Sequence, residues 1–193
     1  LSEMTKTGKH AVEWCVGEAI TSGANKIYFD EGMLNLEATI TNLSPNTQYA
    51  FRVLYGIQDE TGVTYYINGE TKTFTTSPVV LSEPTLQTTG KTYLEVQTSS
   101  AYGDATLVEE VVEVATSKYN TPEQRVNVAG RSNVIINNLM PNTKYYFRSV
   151  LNTRETGIMQ SEWYEATTKQ INLATGEADG ISNTSAFLHG TID

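Results

Sequence analysis

The chain has 193 residues, 22 acidic against 13 basic, a formal net charge of −9 and 39% hydrophobic residues. That balance opposes nucleic-acid binding, which needs lysine and arginine to displace counterions from phosphates. No apolar run approaches the ~18 residues of a membrane-crossing helix, so membrane insertion is not expected.

The length has room for one or two domains. The chain opens on Leu1-Ser2-Glu3, with neither Met nor the charged and apolar regions of a signal peptide. It is therefore expected to be a mature or excised piece of something longer. The first predicted strand is His10–Val16, after Gly8, and holds Trp14 and the lone cysteine, Cys15. A single cysteine excludes an intrachain disulfide, and in this apolar setting it reads as an inert buried thiol. Lys26–Asp30 reads as a short central strand and Leu36–Thr41 as the next. Leu43-Ser44-Pro45-Asn46-Thr47 is a turn: Pro45 fixes φ, and Asn46 and Thr47 can bond local backbone. Strict alternation follows, with Tyr49, Phe51 and Val53 on one face and Gln48, Ala50 and Arg52 on the other, the pattern of a half-buried strand. Asn68-Gly69 predicts a type I′ hairpin between Val63–Ile67 and Thr71–Thr76. Pro78 and Pro84 bracket a linker, because a missing N–H breaks a sheet ladder.

A second cycle then begins. Thr92–Gln97 opens it after Gly90. Leu107–Ala115 has apolar positions that suit a helix or a strand, and its valines favour the strand. Asn133–Asn137 precedes Leu139-Met140-Pro141-Asn142-Thr143-Lys144-Tyr145-Tyr146-Phe147-Arg148, which repeats Leu43–Arg52 at seven of ten positions, 96 residues later (139 − 43). Glu162–Thr168 closes the cycle. A third opening, Thr184–Ile192, follows Gly180. The expected domains are 1–77, 78–169 and the first strands of an incomplete third at 170–193. About two dozen residues cannot bury a core alone. Two readings stay open for that tail: further strands of a longer chain, which is favoured, or strands supplied by a neighbouring chain.

The motif Leu-x-Pro-x-Thr-x-Tyr-x-Phe-Arg, at Leu43–Arg52 and again at Leu139–Arg148, resembles the corner before the sixth strand of the fibronectin type III domain. The resemblance implies an all-β fold of tandem immunoglobulin-like sandwiches, seven strands in two sheets per repeat. It implies a tyrosine corner at Tyr49 and Tyr145, shaped by Pro45 and Pro141, in which the hydroxyl returns to upstream backbone. It places Trp14 between the sheets on the second strand, with Phe51 and Phe147 in the core. The closing Phe74-Thr75-Thr76 is similar to that of bacterial and bacteriophage members. Such modules serve as spacers, adhesion elements and parts of virions, and fold alone implies no catalysis.

Signals for chemistry are thin. No phosphate-binding loop, nucleophile elbow or metal-binding motif is present. His10 and His189, one per domain, support neither a zinc site nor a triad and read as strand-surface residues. Asp30-Glu31 and Asp59-Glu60 on loops are weighed as calcium ligands and read as solvated, as are Glu109, Glu110 and Glu113. No metal, cofactor or catalytic residue is expected. No Arg-Gly-Asp occurs, and the sequons at Asn42 and Asn183 matter only in a glycosylating host. In Tyr65-Tyr66 and Trp163-Tyr164 one residue of each pair should be exposed. Cross-strand stabilisation is the simpler role, and ligand contact by Tyr66 and Trp163 the alternative.

The expected function is that of a non-catalytic spacer or adhesion array on a cell surface, secreted protein or virion, hence extracellular. Its expected partners are a protein or glycan on a surface, or another copy through the incomplete third domain. The alternative is a carbohydrate-binding accessory module of a secreted enzyme.

Overall fold

The computed structural model describes residues 4–128 and 130–193. These residues form strands and connecting loops, with no helix among them. The chain divides into two compact units, Leu1–Val79 and Val80–Asp193.

The first unit contains β1 (Met4–Thr7), β2 (His10–Val16), β3 (Asn25–Phe29), β4 (Gln48–Asp59), β5 (Thr64–Asn68) and β6 (Lys72–Thr75). All six belong to one antiparallel sheet around β4. β1 and β2 run along one edge of β4 from Asp59 to Tyr49, and β5 and β6 along the other. Gly56 sits where the chain passes from β1 to β2: its N–H is bonded by His10 Nδ1 at 3.2 Å, and a Cβ there would stand 2.2 Å from the Lys9 carbonyl oxygen.

The second unit contains β7 (Thr85–Thr89), β8 (Leu94–Gln97), β9 (Leu107–Ala115), β10 (Gln124–Asn127), β11 (Asn133–Ile136), β12 (Lys144–Thr153), β13 (Gly157–Gln160), β14 (Tyr164–Thr167), β15 (Leu173–Thr175) and β16 (Gly190–Ile192). One sheet runs β10-β9-β12, with β13 and β14 as two halves of a final strand beside β12. The other runs β11-β8-β7. Leu94, Val96, Val134 and Ile136 from the smaller sheet meet Val112, Val114, Tyr145 and Phe147 from the larger in one buried core. Alternation along each strand supplies these inward sets, which is why two sheets can share them. The tail forms its own two-stranded sheet, β15–β16.

Several sequence expectations change here. His10–Val16 is not the counterpart of Thr92–Gln97. It pairs with β3 and β4 as β9 pairs with β10 and β12, whereas β8 belongs to the opposite sheet. Trp14 therefore lies opposite Phe51, as Val114 lies opposite Phe147. Both Trp14 and Phe51 are half-buried, because among the described residues the first unit has no counterpart of the β7-β8-β11 sheet to cover them. Phe147, under its second sheet, is fully buried. Lys26–Asp30 is an edge strand, not a central one. Leu36–Thr41 is not a strand. Asn68-Gly69 is no type I′ turn, since that turn needs positive φ at both residues and neither has it. β5 and β6 each pair with β4 instead of with one another. The true hairpin turn is at Asp59–Val63, where Gly62 takes φ +85° and the Asp59 carboxylate accepts the N–H groups of Thr61 and Val63 at 2.9 and 3.0 Å.

Candidate functional site

Both corners close in the same way. The Tyr49 hydroxyl accepts the Ser44 N–H at 2.9 Å, and the Tyr145 hydroxyl accepts the Met140 N–H at 2.9 Å. Each donor lies five positions before its tyrosine, so the ring spans the corner while Pro45 or Pro141 sets its start. Asn46 and Asn142 enter the left-handed region at φ 48° and 49°, which asparagine tolerates. Sequence reading missed a second latch. Thr76 donates to the Ser44 carbonyl and accepts from the Thr47 N–H, and Thr168 does the same with Met140 and Thr143. The signal was the Thr-Thr that ends each repeat, Thr75-Thr76 and Thr167-Thr168.

The outer face of the first unit's sheet and that of the second unit's larger sheet each carry a buried glutamate between cations. Glu13 on β2 accepts from Arg52 Nε on β4 at 2.6 Å and faces Lys26 Nζ on β3 at 3.5 Å. Glu113 on β9 meets Arg148 of β12 at 2.7 Å and Arg125 of β10 at 3.2 Å. Glu110 and Glu113 are buried, contrary to the expectation that they face water; only Glu109 is in part exposed, bonding Arg125 at 2.8 Å. A carboxylate enclosed in a sheet needs such partners, and two cations on flanking strands supply them. Glu13 and Glu113 stand in the same register against Arg52 and Arg148, so this is a second feature shared by the two units.

Aromatic rings sit over these cations. Lys26 lies 5.6 Å from the Tyr66 ring and Arg148 4.4 Å from the Trp163 ring, within the range of cation–π attraction. Burial first, and then Tyr28, hold the Tyr66 phenol above its ordinary range. Tyr66 and Trp163 are both half-buried. An open cleft of about 600 Å³ lies beside Glu13, Thr21, Lys26, Tyr28 and Arg52. It is polar, with one aromatic wall.

The remaining sequence-singled residues stay apart. His10 is buried, not on the strand surface: its ring stacks on Tyr55 at 4.6 Å and its Nδ1 takes the Gly56 N–H. His189 lies beside Asp179 at 3.2 Å. Asp59 is occupied by its own turn; the Thr61 hydroxyl first, then the Val63 and Thr61 N–H groups, draw its pKa below the ordinary 3.8. Cys15 is half-buried and donates to the Ala19 carbonyl at 3.3 Å. Among the described residues no group of three or more His, Cys, Asp or Glu could hold a metal ion.

The inner face of the first unit is apolar and open. Trp14, Phe51 and Phe74 lie along it half-buried, while Val53, Tyr55 and Ile67 are 43%, 48% and 58% exposed.

No family model matches the chain, and no curated protein matches it. Among solved structures, it is similar to the fibronectin type III domain of human fibronectin type III domain containing protein 3. The identity is 28% over 47% of this chain and 84% of that one, with a TM-score of 0.37. It is also similar to the FN1-FN3 domains of chicken CNTN1, 13% identical, over 84% of this chain and 56% of that one, with a TM-score of 0.40. The strand pairing of the second unit and the two tyrosine corners are themselves fibronectin type III-like.

Proposed function

We propose that the chain is a non-catalytic interaction module, a spacer or adhesion element of a secreted, cell-surface or virion protein. The carrying observation is that the polar groups repeated in the two units serve structure in both. Tyr49, Tyr145, Thr76 and Thr168 close corners, and Glu13 and Glu113 are held between cations. A nucleophile or general base needs a partner within hydrogen-bond reach and a place for substrate, and these groups are already engaged. A panel of chromogenic ester, glycoside, phosphate and peptide substrates tests this. The expected rates equal those of buffer; turnover that disappears on Glu13→Gln contradicts the reading.

One observation favours a second reading, carbohydrate binding. The cleft beside Tyr28 combines a carboxylate, two cations and an aromatic ring, the mixture of polar groups and flat apolar surface that sugar rings engage. On this reading a glycan array shows binding that is lost on Tyr28→Ala or Tyr66→Ala and retained on Trp163→Ala. Silence across the array removes it.

A further inference from the structure

The glutamates on the two outer faces share a register, and so do their cations. Lys26 pairs with Glu13 as Arg125 pairs with Glu113, and Arg52 pairs with Glu13 as Arg148 pairs with Glu113. The balance of charge differs. In the second unit Arg125 also bonds Glu109 at 2.8 Å, so two carboxylates stand against two guanidinium groups. Glu109 lies four residues before Glu113; the residue four before Glu13 is Lys9. In the first unit one carboxylate, Glu13, thus faces two cations, Lys26 and Arg52. These groups leave one positive charge unbalanced, in a chain whose formal net charge is −9.

What lies over the arginine differs too. Trp163 sits 4.4 Å over Arg148 and immediately precedes β14, whose Tyr164 pairs with Phe147. The matching residue before β6, whose Lys72 pairs with Phe51, is Thr71, which has no ring to offer Arg52. Arg52 instead borders the cleft of about 600 Å³, together with Lys26, Tyr28 and the hydroxyl residues Thr21 and Ser22 of the β2–β3 turn. Glu13 is bonded through the Arg52 Nε. A guanidinium has five N–H donors and an ammonium three, so both cations have donors for a second carboxylate. Their side chains are 24% and 33% exposed, and Tyr28 is 55% exposed.

We propose that this cleft binds an acidic sugar, with its carboxylate on Lys26 and Arg52 and its ring against Tyr28. Hydrogen bonds between two charged groups are the strong ones, and a carboxylate neutralises the unbalanced charge. The flat face of Tyr28 suits the apolar face of a pyranose, and the Thr21 and Ser22 hydroxyls suit its ring hydroxyls. Glu13 is a positioning residue that ties both cations to the sheet. The charge at the site acts locally, because at physiological ionic strength charges beyond about 8 Å are screened. The balanced cluster around Glu113, with Trp163 over Arg148, has no such role. The proposal rests on the carbohydrate-binding reading of this cleft and names its ligand class.

The test is calorimetric titration of the whole chain with uronate and sialylated oligosaccharides, the methyl esters of the same sugars, neutral oligosaccharides and hexaglutamate. The acidic sugars should bind, and their esters, the neutral sugars and hexaglutamate should bind far more weakly. Added salt should weaken the binding. Lys26→Gln should weaken it about tenfold or more, the scale of a lost hydrogen bond to a charged group, and Lys26→Arg should keep it. Arg125→Gln, at the matching place in the second unit, should leave it unchanged. Thr21→Glu puts a carboxylate on an exposed turn without touching the Glu13 pair, so it should abolish binding even where Lys26→Gln disturbs the fold by circular dichroism. Equal binding of acids and esters, or of neutral sugars alone, would overturn the proposal and leave the carbohydrate reading standing. Hexaglutamate bound as tightly as the sugars would overturn it in favour of a general anion surface. Full binding by Thr21→Glu would place the ligand elsewhere. No binding of any sugar would remove the proposal and the carbohydrate reading together.

Discussion

Tyr145 illustrates how one side chain fixes a corner. Its ring is buried in the core and its hydroxyl takes the Met140 N–H. Tyr145→Phe keeps the ring and leaves that N–H without its acceptor. The expected cost is about 1–3 kcal/mol, read as a lower denaturation midpoint for the second unit; an unchanged midpoint would remove the corner's role. Gly56 is constrained by space, since a Cβ would meet the Lys9 carbonyl oxygen at 2.2 Å. Gly56→Ala must therefore push the Gly8–Lys9 link away from β4, and a loss of about 1–3 kcal/mol in the first unit is expected, as for other forced insertions. Asp59 adds a pH dependence. Its carboxyl is held below the ordinary 3.8 by the turn it caps. Its contribution is present above pH 3.8 and is lost as pH falls through the lower folded value. Acid titration of the first unit should show this loss, and Asp59→Asn should remove that part of the slope.

At the scale of elements, the strands around β4 and β12 were legible because half-buried strands alternate and because Pro45 and Pro141 mark the turns. What was not legible was which sheet a strand joins. His10–Val16 and Thr92–Gln97 carry similar patterns, and alternation says nothing of the neighbour across the ladder. Asn68-Gly69 misled for a related reason: the dipeptide fits a tight turn, but β5 and β6 both have a better partner in β4. Glu113 was misread because burial of a carboxylate depends on Arg125 and Arg148, which lie on other strands. Glu113→Leu leaves these two guanidinium groups facing each other. A loss of about 1.5–3 kcal/mol is expected, the scale of charged hydrogen bonds, and thermal denaturation would register it. Tyr66 and Trp163 were singled out as possible ligand contacts; both are half-buried, and the cations beneath their rings come from other strands and left no local trace.

Over the whole molecule, the same tyrosine corner and the same glutamate–arginine register occur in both units. The second unit has both sheets and a continuous core; the first presents a single described sheet with an open inner face. Stability should divide accordingly, because opening free energies follow buried apolar contact and paired backbone. Residue-resolved hydrogen exchange of the dilute chain measures this most directly. The account predicts strong protection along β8, β9, β11 and β12, weaker protection along β2 and β4, and little at residues 37–41. Equal protection of the two units, lost in one cooperative step with denaturant, would contradict it.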